Sequence, residues 1–157
     1  MINILKTLFF IFLLSIPFSN LSAQENTYVL KFLHVNSKGW FTFKDDISNS
    51  KASICINNGN ETKMYKTYFN VNSEKIYSTV NNKIERTIKF SKTISGLKNK
   101  EDKIGKYEYK EYEGIRYIGD NANPLNGKFQ FGKLNMNNVQ YYFLKFDDNQ
   151  ETLFIFN

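Results

Sequence analysis

The chain holds one histidine, His34, and one cysteine, Cys55, and these limit the chemistry open to it. A nucleophile needs a base within hydrogen-bond reach, so a Cys–His pair exists only if the fold joins two distant segments. His34 lies inside the apolar run Tyr28-Val29-Leu30-Lys31-Phe32-Leu33-His34-Val35 and reads as a structural histidine with a local partner. Cys55, between Ile54 and Ile56, reads as a small buried hydrophobe. A lone cysteine also forbids an intramolecular disulfide. Carboxylates occur as Asp45-Asp46, Glu101-Asp102, Glu111 with Glu113, Asp120 and Asp147-Asp148. Two-carboxylate hydrolysis needs one acid of raised pKa at a fixed distance from its partner. These groups fall mostly in turn-forming stretches, where water solvates them. Asp147-Asp148-Asn149-Gln150-Glu151 has oxygens enough for calcium but lacks the glycine and ligand spacing of a calcium loop. It predicts a hairpin turn in which Asp and Asn bond their own backbone. A phosphate-cradling glycine loop, a dinucleotide fingerprint and a nucleophile elbow are all missing from the sequence. With no catalytic set assembled, the reading leans away from an enzyme, and neither a cofactor nor a metal is expected.

The aromatic residues are the positive hint. Lys106-Tyr107-Glu108-Tyr109-Lys110-Glu111-Tyr112-Glu113 sets three tyrosines on a strand dense with charge, and Arg116 and Tyr117 follow. Tyrosine offers a large rigid face with a polar tip, and Arg is enriched where partners dock. If the protein binds at its surface, Tyr107, Tyr109, Tyr112 and Arg116 are the candidate binding residues. The competing expectation is an edge strand whose charges block aggregation while the tyrosines pack inward. Residue preferences favour that second arrangement. Trp40, between Gly39 and Phe41, is expected to anchor the core at the start of its strand.

These residues sit in a chain of 157 with net charge +6. The positive charge comes from 19 Lys and only 2 Arg, spread along the chain. Lys lacks the planar fork that grips phosphate, so nucleic-acid binding is not expected. The abundance of Lys with 21 Asn points to an AT-rich genome. At the start, Lys6 precedes an apolar run from Leu8 to Ile16 that Pro17 closes, and Ser19, Asn20, Ser22 and Ala23 follow. This is the layout of a secretory signal peptide, predicted over residues 1–23. The run is about half of the ~20 residues that span a bilayer. Residues 24–157 then form one domain, exported to the periplasm or secreted. An exported domain of this size without disulfides fits a bacterial envelope.

Beyond residue 24 the sequence predicts strands and almost no helix. Aromatic and β-branched runs are cut by Asn, Asp and Gly. Runs are placed at 27–35, 39–44, 52–56, 63–71, 75–80, 84–91, 106–113, 115–118, 128–136, 139–146 and 152–156. One hairpin can be read to its register. Asn137-Asn138 as a two-residue type I′ turn pairs Met136 with Val139, Phe131 with Leu144 and Phe129 with Phe146. Around Asn81-Asn82 the apolar pattern instead calls for an odd-length loop with a bulge, pairing Val80 with Ile84 and Ile76 with Ile88. Tyr141 to Leu144 and Leu153 to Phe156 are apolar on both faces, so these strands should be central. Ser95–Gly105, rich in Lys, Asn and Glu, is expected to be a mobile surface loop.

The fold class is therefore all-β, a single antiparallel sandwich or barrel built from short hairpins. The predicted function is that of an exported binding or interaction module. Its partner would be an envelope or extracellular protein or glycan, with no stable insertion in the membrane. Charges at Lys31, Arg86, Lys89, Lys110 and Lys145 break the continuous apolar outer band that a membrane barrel needs. The alternative is a carrier of a small apolar ligand with a lipocalin-like closed barrel.

Overall fold

The computed structural model describes residues 24–45, 52–57, 59–119 and 123–157. The predicted signal segment, Asp46 and Asp120 lie outside the described residues. Twelve strands follow one another: β1 (Asn26–Val35), β2 (Gly39–Asp45), β3 (Ala52–Asn57), β4 (Asn60–Tyr65), β5 (Thr67–Val71), β6 (Lys75–Val80), β7 (Lys83–Thr93), β8 (Lys98–Glu101), β9 (Lys106–Ile118), β10 (Leu125–Met136), β11 (Val139–Phe146) and β12 (Leu153–Phe156). Of the two shapes predicted, the chain adopts the barrel. Strands β5, β6, β7, β9, β10, β11, β12 and β1 pair in that order, all antiparallel. The ring closes where β12 returns to β1, with Leu30 opposite Phe156 and His34 opposite Leu153. Closure removes the unpaired edges that an open sheet would expose.

Two elements leave the ring. β1 pairs with β5 through Asn26–Val29 but with β2 through Phe32–Val35. Its second half therefore starts a three-stranded flap, β2-β3-β4, which re-enters the barrel through the single residue Lys66. The Lys66 ammonium lies 2.9 Å from the Asp45 carboxylate and pins the flap at its base. Phe43 on β2 packs against the barrel core. The second departure is at β9, which is longer than the ring requires. Its Tyr112–Ile118 half pairs with β7, while Lys106–Tyr109 pairs with β8 to form an arm. Ser95–Gly105, expected as a loop, thus contains a strand. The stretches 106–113 and 115–118, expected as two strands, are one, because Gly114 and Gly127 continue the pairing between β9 and β10.

Each strand alternates its faces, and both faces of the sheet bury apolar groups. The inner face draws on all eight ring strands. Leu30, Phe69, Ile76, Ile88, Phe129, Leu144, Phe146, Phe154 and Phe156 are buried, with Tyr112 packed against them. Rings fill the space. Phe69 stacks on Phe156 at 4.5 Å, and Phe129 lies between Phe90 at 5.4 Å and Tyr112 at 5.5 Å. Each such pair contributes roughly 0.5–1.5 kcal/mol beyond burial alone. The opposite face of β9 to β12 carries a second cluster outside the barrel: Tyr107, Tyr109, Leu134, Phe143, Leu153 and Ile155. All four residues of β12 are buried, which is what apolar side chains on both parities predict. Phe131 lies in the same sheet but is only half-buried.

The hairpin at Asn137-Asn138 has the predicted register throughout, with φ of 52° and 62° at the two asparagines. The hairpin at Asn81-Asn82 corrects the expectation in part. Its loop has two residues, at φ 50° and 61°, and Val80 faces Lys83 rather than Ile84. The extra residue is Glu85, bulged between Ile84 and Arg86, and past it Ile76 faces Ile88 as the apolar pattern requires. Asn-Asn fits a type I′ turn so well that the register correction moves from the loop into the strand. The bulge also turns Ile84 outward, where it is exposed.

Candidate functional site

Five pairings across the outer wall set up one row of side chains. Trp40 is opposite His34, His34 opposite Leu153, Leu153 opposite Lys145, Lys145 opposite Gln130 and Gln130 opposite Glu111. Directly opposed residues hold their Cβ atoms about 4.5–5.5 Å apart, so the row is a continuous stripe across six strands. Only Leu153 is apolar and buried within it. Trp40 was expected in the core and is instead 40% exposed, with its ring 4.7 Å from that of His34. The reason is register: Trp40 inherits the outward face from His34, while Phe41 and Phe43 take the inward one.

The arm walls the stripe from the other side. Its turn is held by Asp102, whose Oδ1 accepts the N–H groups of Ile104 at 2.9 Å and Gly105 at 3.3 Å. The Asp102 N–H donates to the Gly105 carbonyl, and Lys100 lies 3.4 Å from the other carboxylate oxygen. Burial works to raise the Asp102 carboxyl, but the two N–H groups and Lys100 outweigh it and hold the group below its ordinary range. Burial, and then the Asp102 carboxylate beside it, push the Tyr107 hydroxyl well above its ordinary value. The arm is tied back to the wall by Lys98, 3.0 Å from Glu111. On the remaining side, Asn36 and Ser37 bond Gln150, joining the β1–β2 turn to the β11–β12 loop. In that loop Asp148 Oδ1 accepts the N–H groups of Gln150 and Thr152, the self-capping turn read from the sequence.

Between arm and wall lies a cleft of about 220 Å³ lined by His34, Lys100, Asp102, Tyr107, Lys145 and Glu151 among others. A second hollow of about 330 Å³ continues along the stripe, sharing Gln130, Lys145 and Glu151 and reaching Glu111. Charges of both signs alternate: Lys100 faces Asp102, and Lys145 lies 3.8 Å from Glu151. The groove is therefore rich in donors and acceptors without a dominant sign. Among the described residues, no three His, Cys, Asp or Glu side chains come together as a metal would require. Cys55 sits half-buried on the flap opposite Phe43, and burial pushes its thiol up, away from the reactive thiolate.

The four residues singled out from the sequence fall on the two faces of β9. Tyr107 and Tyr109 face outward but are only 7% and 8% exposed, lying edge-on to Phe143 at 4.9 and 6.0 Å. Both border the cleft with their remaining surface. Tyr112 faces the barrel interior, stacked on Phe129. Arg116 also points inward, its guanidinium 4.7 Å from the Phe146 ring and 3.4 Å from Asp148. The structure thus joins Tyr107 with Tyr109 and separates both from Tyr112 and Arg116. Sequence reasoning missed Trp40, His34, Lys145, Gln130 and Glu111 as neighbours. Their alternation within each strand was legible, but the row exists only because β12 closes on β1. No family model matches the chain, and neither a curated protein nor a solved structure matches it with significance.

Proposed function

We propose that the protein is exported and acts as a binding module, holding a neutral, hydroxyl-rich ligand such as an envelope glycan along the outer stripe. The observation that carries this reading is the stripe itself: an exposed Trp40 ring beside His34, running into a groove of alternating donors and acceptors. A flat exposed indole offers its face to the C–H surface of a sugar. Balanced charge at Lys100, Asp102, Lys145 and Glu151 favours a neutral polar ligand over an anion or a cation, because neither sign meets a net field. The filled interior weighs against a carrier of apolar molecules, since the space it would need is taken by stacked rings. The distribution of charge also supports a protein that stays out of the bilayer. Membrane barrels put an apolar band outside and polar groups inside, whereas here Lys128, Lys145 and Glu111 lie outward and Phe69, Phe129, Phe146, Phe154 and Phe156 inward.

The single tryptophan makes the test direct. Cellotriose and chitotriose, titrated into the mature chain, should produce a saturable change in tryptophan emission from at least one of the two. Calorimetry on Trp40→Ala should show that binding lost, with the melting temperature nearly unchanged because the ring is exposed. Absence of any saturable change with both sugars, or undiminished affinity in Trp40→Ala, would refute the reading.

A further inference from the structure

We infer that the end of the barrel at Arg116 is a second binding site, adjoining the hollow that extends the outer stripe, that takes the carboxylate of a short aliphatic acid. Both arginines of the chain point into the barrel at this end. Arg116 lies over Phe146 at 4.7 Å and Arg86 over Phe154 at 5.5 Å, and these rings meet edge-to-face at 5.9 Å. Two guanidinium groups therefore share one aromatic floor. Their carboxylate partners are weak. Among the described residues, Arg86 has Glu85 at 3.9 Å and Arg116 has Asp148 at 3.4 Å, both longer than the 2.7–2.9 Å of a charge-assisted bond. The other oxygen of Asp148 accepts the backbone N–H groups of Gln150 at 3.1 Å and Thr152 at 3.4 Å.

Beside Arg116 the barrel wall is open, and the residues there, Leu125 to Lys128, are exposed. Gly127 faces the barrel from β10, and a Cβ built there would meet nothing within 4 Å. Its cross-strand partner is Gly114, whose own space is taken by the Phe129 ring. The result is a recess of about 80 Å³ whose lining includes the charged Arg116, Lys128, Asp147 and Asp148 and the apolar Ile88 and Phe129. A water's share of liquid volume is about 30 Å³, so the recess has room for a carboxylate and two or three carbons but not for a long chain. The planar guanidinium fork donates two parallel N–H bonds to a carboxylate, and the apolar wall suits a short alkyl tail.

The two Nε–H resonances of Arg86 and Arg116 report on this site with no other arginine to confuse them. Propionate titrated into ¹⁵N-labelled protein should shift the Arg116 resonance saturably, while its neutral isostere propionamide should not. Gly127→Leu fills the recess without touching a charge and should abolish the shift. Arg116→Lys keeps the charge but loses the fork, and should weaken binding by about tenfold, as read from the amides of Gly127 and Phe129. The inference is overturned by no saturable shift with propionate, an equal shift with propionamide, an unchanged response in a folded Gly127→Leu protein, or shifts spread over surface lysines. Inorganic phosphate serves as a control, and tighter binding of phosphate than of propionate would reject the carboxylate assignment.

Discussion

Replacing Phe143 with alanine tests whether the cluster outside the barrel is a true core. The side chain is fully buried on the outward face, beneath two tyrosine rings at 4.9 and 6.0 Å. The residue opposite it on β10 is Gly132, which has no side chain to move into the space left behind. Cavities that cannot collapse cost most, so the loss should fall in the upper part of the roughly 3–5 kcal/mol range for Phe→Ala, about 4–5 kcal/mol. That is a large fraction of the ~5–15 kcal/mol that holds a domain together. Phe131→Ala, one strand away, provides the contrast. It is half-buried and its one ring contact is to Tyr142 at 6.4 Å, so about half that loss is expected. Urea melts give both values, and unchanged m-values would show that the denatured states are comparable. Near-UV circular dichroism should also weaken in Phe143→Ala as Tyr107 and Tyr109 lose their floor. A loss below about 1 kcal/mol at Phe143, the size of a surface change, would mean that the outer cluster is not a core. Equal losses at the two sites would refute the burial argument.

Three further outcomes follow from local geometry. Gly132→Ala would press a Cβ to 2.6 Å from the Tyr109 Cα and onto the Glu108 carbonyl, so a loss of about 3 kcal/mol is expected in the same melts. A neutral result would mean that β9 and β10 can part there. Ser78→Ala should be neutral or stabilise by about 1 kcal/mol, because the Ser78 hydroxyl is buried with no partner among the described residues. A clear loss would reveal a hydrogen bond. Asp102 has its folded pKa below its unfolded one, so its contribution is present above the ordinary carboxylate value of ~3.9 and is lost as pH falls through the lowered folded value. The protection factors of the Ile104 and Gly105 amides, corrected for the intrinsic pH dependence of exchange, should fall across that acid window, and an Asp102 titration midpoint at or above ~4 would contradict the capping role.

What could be read from the sequence was local. Most strand positions, the Asn137-Asn138 register and the double-sided burial of β12 follow from period-two patterning and turn chemistry within a few residues, while β8 and the break at Lys66 between β4 and β5 were not visible there. The pairing of Ile76 with Ile88 was legible for the same reason, while the place of the bulge was not, since loop and strand could each absorb the extra residue. Long-range closure was beyond reach. Nothing near β1 says that its partner is β12, so neither the choice of barrel over sandwich nor the stripe through His34 and Lys145 could be derived. β9 shows the same limit from the other side. Its dense charge and tyrosines were visible, but which parity faced the barrel depended on β10 and β7, and the answer split Tyr107 and Tyr109 from Tyr112 and Arg116.

The most direct test of the account is a residue-by-residue map of where a bound sugar is felt. Amide, indole and side-chain resonances of labelled mature protein should be followed during titration with whichever of cellotriose or chitotriose changes tryptophan emission. The account predicts the largest shifts at the Trp40 indole, His34, Gln130, Lys145 and the Asp102 turn, with Phe69, Ile76 and Phe156 inside the barrel nearly silent. Shifts concentrated on those interior residues, with the outer stripe unmoved, would contradict it and make the barrel a carrier.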